Sequence, residues 1–387
     1  MKNRQIRVLL AGGGSGGHVT PLKAIYDKLD RGSVSTQVII DRGFRTQTET
    51  LFKDDDVTIQ SIFAGKYRRY HSKSFLWHVT HLPTLLKNMR DIVLLGFGFI
   101  QSLAILVLHR PDVIFCKGGF VCVPVGFAAH LLRVPLVIHD SDTRPGLTNR
   151  ILSRWARHIG TGMPTEFYPY EISKTTYTGI PVNQAFVPVS RKVQKDYKQQ
   201  LGFNDDQPVL LVTGGGNGAE SLNKKVSEMV GELLDSGWGI IHLAGTGKTD
   251  RLRQQQHAMP AKTRKNWHIE EFADMVPCML AADIVLARTS ASTLQECANA
   301  EKCVIGVPSP HLDDQAMNAK FFASKQAIIT INQTDISPHA LYDVIVSVAG
   351  AQGKKLAHTL HTVFARPSAA ADITKLLLDV ARTTTVK

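Results

Sequence analysis

The sequence holds little of what makes a class obvious. Its five cysteines, Cys116, Cys122, Cys278, Cys297 and Cys303, are odd in number and never in C-x-x-C spacing. That excludes a disulfide scaffold and is most simply read as a reducing, cytoplasmic compartment. No Cys/His cluster has metal-ligand spacing, so neither a metal nor another cofactor is expected. Thirty Gly and 17 Pro in 387 residues are too few for a low-complexity chain. The first apolar run, Arg7–Ala11, breaks into glycines at once, which suits a buried strand and not a signal peptide. One charge-free stretch needs weighing as a membrane span, Ile92–Leu108, at the lower edge of membrane-spanning length. Gln101 and Ser102 in its middle, two glycines, and the loop-and-strand pattern that follows favour instead a buried helix packed on a sheet.

What the chain does have is a basic balance, 45 Lys+Arg against 33 Asp+Glu for a net +12, and 43% hydrophobic residues. Such a chain can fill two cores, and its partners should be anionic: nucleic acid, phosphorylated metabolites or a membrane surface. Aromatics make up only 7% and no nucleic-acid motif is present, so nucleic acid is not expected as a partner.

One theme recurs: a short β-rich run, a glycine-containing turn, a helical pattern. Arg7–Ala11, Thr36–Ile40, Asp112–Cys116 and Pro135–His139 read as strands of the first half. Pro208–Thr213, Gly239–Ala244, Trp267–Glu270, Ile284–Ala287, Cys303–Val307 and Ala327–Ile331 read as strands of the second. The alternation predicts an α/β fold of two facing Rossmann-like domains with parallel sheets and an interdomain cleft. The boundary falls near Gly179-Ile-Pro-Val182, giving domains 1–180 and 181–365, with a terminal helix at about 366–387 packing back on the first.

Ligands of such sheets bind in the loops after the strands. Gly12-Gly-Gly-Ser-Gly-Gly17-His18 follows the first strand and opens the first helix, so its amides can approach a phosphate or diphosphate. It matches neither a P-loop nor a dinucleotide fingerprint. His18, at the mouth of this loop, has the chemistry to accept a proton from a sugar hydroxyl. Gly214-Gly-Gly-Asn-Gly-Ala219 stands at the equivalent place in the second half, which suits an enzyme joining two phosphorylated substrates.

These loops, with Gly118-Gly-Phe120, His139-Asp-Ser-Asp142, Gly146-Leu-Thr-Asn149, Gly179-Ile-Pro-Val182, Arg288-Thr-Ser-Ala-Ser-Thr-Leu-Gln-Glu296 and Gln315-Ala-Met-Asn318, stand in the order and spacing of the MurG family. The chain resembles that family over nearly its whole length. The resemblance implies a GT-B inverting glycosyltransferase that moves N-acetylglucosamine from UDP-GlcNAc to the muramoyl 4-hydroxyl of lipid I, an undecaprenyl-diphosphate-linked muramoyl peptide, forming lipid II for peptidoglycan. It implies acceptor contacts at Gly14, Ser15, Gly16, Gly17, Gly118, Gly119, Thr148 and Asn149, with His18 or Asp140 as the base. It implies donor contacts at Asp142, Asn183, Gly215, Gly216, Asn217, Phe272, Ala273, Ser290, Glu296, Gln315 and Asn318. Glu296 would receive the ribose hydroxyls, Gln315 read the sugar, and Phe272-Ala273 meet uracil.

The chain departs from the family pattern in places. Asp140-Ser-Asp142 replaces Glu-Gln-Asn, Asn183 replaces an arginine, Gly216-Asn217 replaces Ser-Gln, and Phe120 replaces a tyrosine. Arg288 or Lys248 could supply the missing cation. A lipid acceptor also implies a peripheral place on the cytoplasmic membrane face. The basic stretch Lys66–Lys73 followed by Phe75, Leu76 and Trp77 is the expected contact with an anionic membrane. Competing readings are a GT-B transferase with another acceptor, a UDP-sugar 2-epimerase, and a non-catalytic protein that binds a nucleotide sugar.

Overall fold

A computed structural model describes residues 4–65, 81–216, 218–334 and 337–385. The expected membrane contacts Phe75, Leu76 and Trp77, the basic stretch before them, and Asn217 lie outside the described residues. The chain forms two compact units. One comprises the residues up to Ser141, Pro145–Pro181 and the segment from Ser368; the other comprises Asp142–Arg144 and Val182–Pro367.

The N-terminal unit is built on seven parallel strands: β1 (Ile6–Ala11), β2 (Val34–Asp41), β3 (Thr58–Ile62), β4 (Val113–Cys116), β5 (Leu136–Asp140), β6 (His158–Thr161) and β7 (Thr175–Tyr177). Their order is β3-β2-β1-β4-β5-β6-β7. The helices are α1 (Gly16–Tyr26), α2 (Arg45–Leu51), α3 (Leu82–His109), α4 (Cys122–Leu131) and α5 (Leu147–Leu152). The central strands are apolar throughout because helices cover both faces; all four residues of β4 are buried. Ala11 pairs with Cys116, so β1 and β4 end at one level and release their loops side by side. The strand order reverses between these two, which is where open α/β sheets hold ligands.

The C-terminal unit repeats the plan. Its elements are α6 (Arg191–Gln200), β8 (Val209–Thr213), α7 (Glu220–Asp235), β9 (Gly239–Leu243), α8 (Asp250–His257), α9 (Ala261–Arg264), β10 (Trp267–Glu270) and α10 (Met275–Ala281). They continue with β11 (Ile284–Ala287), α11 (Ala291–Asn299), β12 (Cys303–Gly306), α12 (Asp313–Ser324), β13 (Ile329–Thr330), α13 (Pro338–Ser347) and α14 (Ala351–Phe364). The parallel order is β10-β9-β8-β11-β12-β13, with Thr213 paired to Ala287 at the reversal. The final helix, α15 (Ala369–Thr385), returns to the N-terminal unit. There it buries Ile373, Leu377 and Ala381 among Leu22, Ile25 and Val38. All five cysteines are buried and unpaired.

The apolar stretch 92–108 corrects an expectation. It belongs to the 28-residue α3, and only 17% of its most apolar window is buried. The helix turns its small and polar side inward: Thr84, Asn88, Asp91, Gly98, Ser102 and Leu106 are buried. Gly98 lies where a Cβ would stand 2.1 Å from the Phe63 carbonyl, and Gln101 Oε1 accepts the Phe63 N–H at 2.8 Å. Ser102 Oγ donates to the Gly98 carbonyl. Three of the residues that argued against a membrane span, Gly98, Gln101 and Ser102, therefore belong to the packing face, whereas Gly96 is exposed. Leu86, Met89, Ile92, Val93, Phe97 and Ile100 are left exposed, each by more than half.

Candidate functional site

In the N-terminal unit the β1 loop is shaped by its glycines. Gly13 approaches Asp41 so closely that a Cβ would meet the carboxylate, and Gly14 adopts φ +82. The Gly14 N–H donates to Asp41 Oδ2 at 2.6 Å, so this amide is already engaged. Gly16 and Gly17 open the first turn of α1, where helix amides have no partner within the helix and favour anions.

His18 rises from this turn. Its Nδ1 lies 2.7 Å from the Gly13 carbonyl and 3.2 Å from Ser15 Oγ. A proton on Nδ1 donated to Gly13 leaves Nε2 as the basic nitrogen, and Nε2 has no hydrogen bond among the described residues. Gly118 (φ +121) and Gly119 (φ +83), after β4, lie against the ring. A Cβ on Gly118 would stand 3.4 Å from Nε2, and one on Gly119 would strike the Gly13 carbonyl. Burial, and secondly the charge of Lys117, lower the His18 pKa to about 4, so the imidazole is neutral near pH 7.

Lys117 was not anticipated from sequence. It is 2% exposed, and its Nζ donates to Ser141 Oγ at 2.5 Å. It also depresses the pKa of His139, again after burial. His139 is structural, with its Nε2 on the Gly179 carbonyl.

Asp140, the other candidate base, is engaged within the protein. Its buried carboxylate accepts the Tyr170 hydroxyl at 2.7 Å and the Gly146 N–H at 3.1 Å. Thr148 and Asn149 also face inward. Thr148 Oγ1 donates to the Gly119 carbonyl and Asn149 Nδ2 to the His139 carbonyl, so they hold the turn and strand that border His18.

In the C-terminal unit the β8 loop carries Gly215 (φ +76) and Gly218 (φ +64). Gly218 approaches the Ala244 carbonyl closely enough to exclude any side chain, whereas Gly215 and the space a Cβ would occupy there are open. Gly216 follows in the same turn, ahead of α7. Ser290 caps α11, accepting the Thr293 N–H. Glu296, half-buried on that helix, has its carboxyl pushed up to about 8 by burial. Gln315 on α12 uses Oε1 to accept the Ser309 N–H, leaving its Nε2 without a bond among the described residues. Phe272 and Ala273 are exposed after β10.

Three donor candidates and one proposed cation already have partners within the protein. Asn318 is fully buried and saturated: Oδ1 accepts the Thr143 N–H and Oγ1, while Nδ2 donates to Asp142 Oδ1 and the Thr289 carbonyl. It straps the Asp142–Thr143 segment to α12, and Asp142 belongs to this strap. Asn183 is exposed and its Oδ1 caps the Ala185 N–H. Arg288 spends three of its N–H donors on the Val307 and Pro308 carbonyls and on Ser221 Oγ. Although Asp140-Ser141-Asp142 has D-x-D form, both carboxylates are hydrogen-bonded within the protein, and no group of three metal-ligating side chains occurs among the described residues.

Two parallel-sheet units, each with a glycine loop at its point of strand reversal, are the architecture of the GT-B fold. Residues 8–161 match the glycosyltransferase family 28 N-terminal domain and residues 209–373 its C-terminal domain. The chain belongs to that family. It is 30% identical over 372 residues to the Clostridium kluyveri UDP-N-acetylglucosamine--N-acetylmuramyl-(pentapeptide) pyrophosphoryl-undecaprenol N-acetylglucosamine transferase, covering 94% of this chain and 95% of the relative. The MurG crystal structure from Acinetobacter baumannii superposes with a TM-score of 0.67 at 22% identity, covering 97% of this chain and 99% of that one. The UDP-GlcNAc 2-epimerase of Neisseria meningitidis shares the fold at a TM-score of 0.65 and 14% identity, covering 97% and 100%.

Proposed function

We propose that this glycosyltransferase moves N-acetylglucosamine from UDP-GlcNAc to the muramoyl 4-hydroxyl of lipid I, giving lipid II. The observation that carries the reading is His18, oriented by Gly13 at the mouth of the acceptor-side glycine loop, in a chain aligned almost end to end with relatives named for that transfer. An epimerase shares the fold at low identity, which speaks to architecture alone.

The C-terminal unit holds the donor. Glu296 accepts the ribose hydroxyls, Gln315 Nε2 donates to the sugar, Phe272 packs on uracil, and the Gly215–Gly218 turn with the α7 amides meets the diphosphate. The N-terminal unit holds the acceptor diphosphate at the Gly16-Gly17 turn. His18 Nε2 takes the 4-hydroxyl proton as that oxygen bonds to the anomeric carbon. The bond from that carbon to the UDP oxygen breaks, with inversion, and helix-terminal amides stabilise the charge on UDP.

The apolar face of α3, with exposed Phe127 and Leu131 on neighbouring α4, lies along an anionic membrane on its cytoplasmic side. At about 1.5 Å per residue the 28-residue helix offers roughly 42 Å of such contact. The helix lies on the bilayer and does not cross it, because its polar side is already packed against the N-terminal unit. The experiment is UDP release on mixing purified protein, UDP-GlcNAc and a short-chain lipid I. Acceptor-dependent release supports transfer; release without acceptor, or binding with no turnover, contradicts it.

A further inference from the structure

A second concavity opens in the N-terminal unit, with a volume of about 960 Å³, lined among others by His130, Arg133, Arg154, Trp155, Arg157 and Lys174. Arg157 lies just before β6 and Lys174 just before β7, and the Pro135-Leu136 wall begins β5, so this pocket lies at the amino ends of the strands. His18, Lys117 and the glycine turns lie at the carboxyl ends. At about 3.3 Å per residue, strands of four or five residues separate the two places by roughly 13–16 Å.

Four permanent cations line one hollow. Lys174 pairs with Glu171, whereas Arg133, Arg154 and Arg157 form no ion pair among the described residues. Like charges gathered without counter-charges repel, and an anion in the hollow relieves that repulsion. Arg133 carries further weight. It follows α4 at φ +55, a left-handed position that glycine occupies at lower cost, yet an arginine stands there and lines the pocket. The aromatic wall is braced: the Trp155 ring stacks on His130 at 4.6 Å between centroids and meets Phe127 edge-on at 4.8 Å.

We propose that this pocket is a second anion site, separate from the transferase site, that binds a phosphate-bearing ligand. Guanidinium forks match phosphate oxygens in pairs, which favours phosphates over single carboxylates. The volume lies within the range of organic ligand pockets and far exceeds one phosphate. The ligand is either a soluble polyphosphate or a phospholipid headgroup, since exposed Leu131 also lines the pocket.

The test uses the full chain with the nucleotide site saturated by UDP. Inorganic triphosphate is titrated by calorimetry, and vesicles of phosphatidylglycerol or phosphatidylcholine by co-sedimentation. Two variants are compared with wild type: R154Q/R157Q, and R133G, which removes a charge while easing the backbone. Weaker triphosphate binding, by about tenfold in the double variant, assigns a soluble polyphosphate. Wild-type indifference to triphosphate, with weaker binding of both variants to phosphatidylglycerol vesicles only, assigns a headgroup. Unchanged binding of both probes in both variants overturns the proposal. Turnover on a short-chain acceptor is expected to stay within about twofold of wild type, so a failed pocket is distinguishable from a failed transferase assignment.

Discussion

Lys117 and Ser141, 24 residues apart, are joined by a 2.5 Å hydrogen bond that ties the carboxyl ends of β4 and β5 and buries a cation beside the His18 ring. That cation is the second cause, after burial, of the low His18 pKa. Replacing it by an apolar residue of similar length, K117M, should raise the His18 pKa from about 4 part of the way toward 6.5. The acid limb of kcat/KM should move to higher pH by the same amount, because a protonated His18 cannot accept the hydroxyl proton. A pH-rate profile with an unmoved limb would remove Lys117 from the electrostatics of the site.

The roles of His18 and Asp140 separate on two measurements. H18A should lower kcat by about 10²–10⁴ with little change in donor KM, as expected for loss of a general base. D140A should act on stability instead, since it strands the Tyr170 hydroxyl and the Gly146 N–H; about 1–3 kcal/mol is expected in urea unfolding. The reverse pattern would make Asp140 the base.

Glu296 has a carboxyl pushed up to about 8, so near pH 7 it is largely protonated in the free enzyme. Ribose hydroxyls need it ionised to be accepted together. Donor KM should therefore fall as pH rises from 7 to about 9 and level off above that, and E296Q should remove this dependence. A wild-type KM that stays flat over the range would refute the ribose assignment.

Asn318 makes four side-chain hydrogen bonds in a fully buried position. N318A should destabilise the C-terminal unit by about 3 kcal/mol, because it leaves buried partners unsatisfied. Differential scanning calorimetry checks it; a loss of donor affinity with unchanged stability would restore Asn318 to the donor site.

Exposed Ile92, Phe97 and Ile100 can be changed without emptying a core. The triple substitution to serine should release the protein from anionic vesicles while leaving turnover on a short-chain acceptor intact. Unchanged vesicle binding would move the membrane contact away from α3.

The central strands were legible because burial on both faces makes them unbroken apolar runs, as in Val113–Cys116 and Leu210–Val212. The edge strands of the first sheet were not: β3 is polar and half-exposed and β7 has three residues, whereas the second sheet's edges, β10 and β13, could be read. α3 was misjudged because its hydrophobic run looks like a core helix, and only its partners reveal that the polar side faces in. The glycine loops and His18 were visible as a motif at strand ends. Lys117 was in plain view but ordinary in sequence; a lysine between a buried strand and a Gly-Gly turn gains its meaning from Ser141 and His18, which lie beyond the ends of other strands. Asn318, Asp142 and Arg288 had the residue types for ligand contacts, and the hydrogen bonds that occupy them depend on tertiary neighbours that motif spacing does not contain.

The most direct measurement is product analysis from wild-type enzyme given UDP-GlcNAc and a short-chain lipid I, by mass spectrometry with NMR of the new linkage. One N-acetylglucosamine added to the muramoyl 4-position with inverted, β configuration, accompanied by stoichiometric UDP, is the predicted result. Free N-acetylglucosamine, an epimerised sugar nucleotide, a retained α linkage or sugar on another hydroxyl would contradict it.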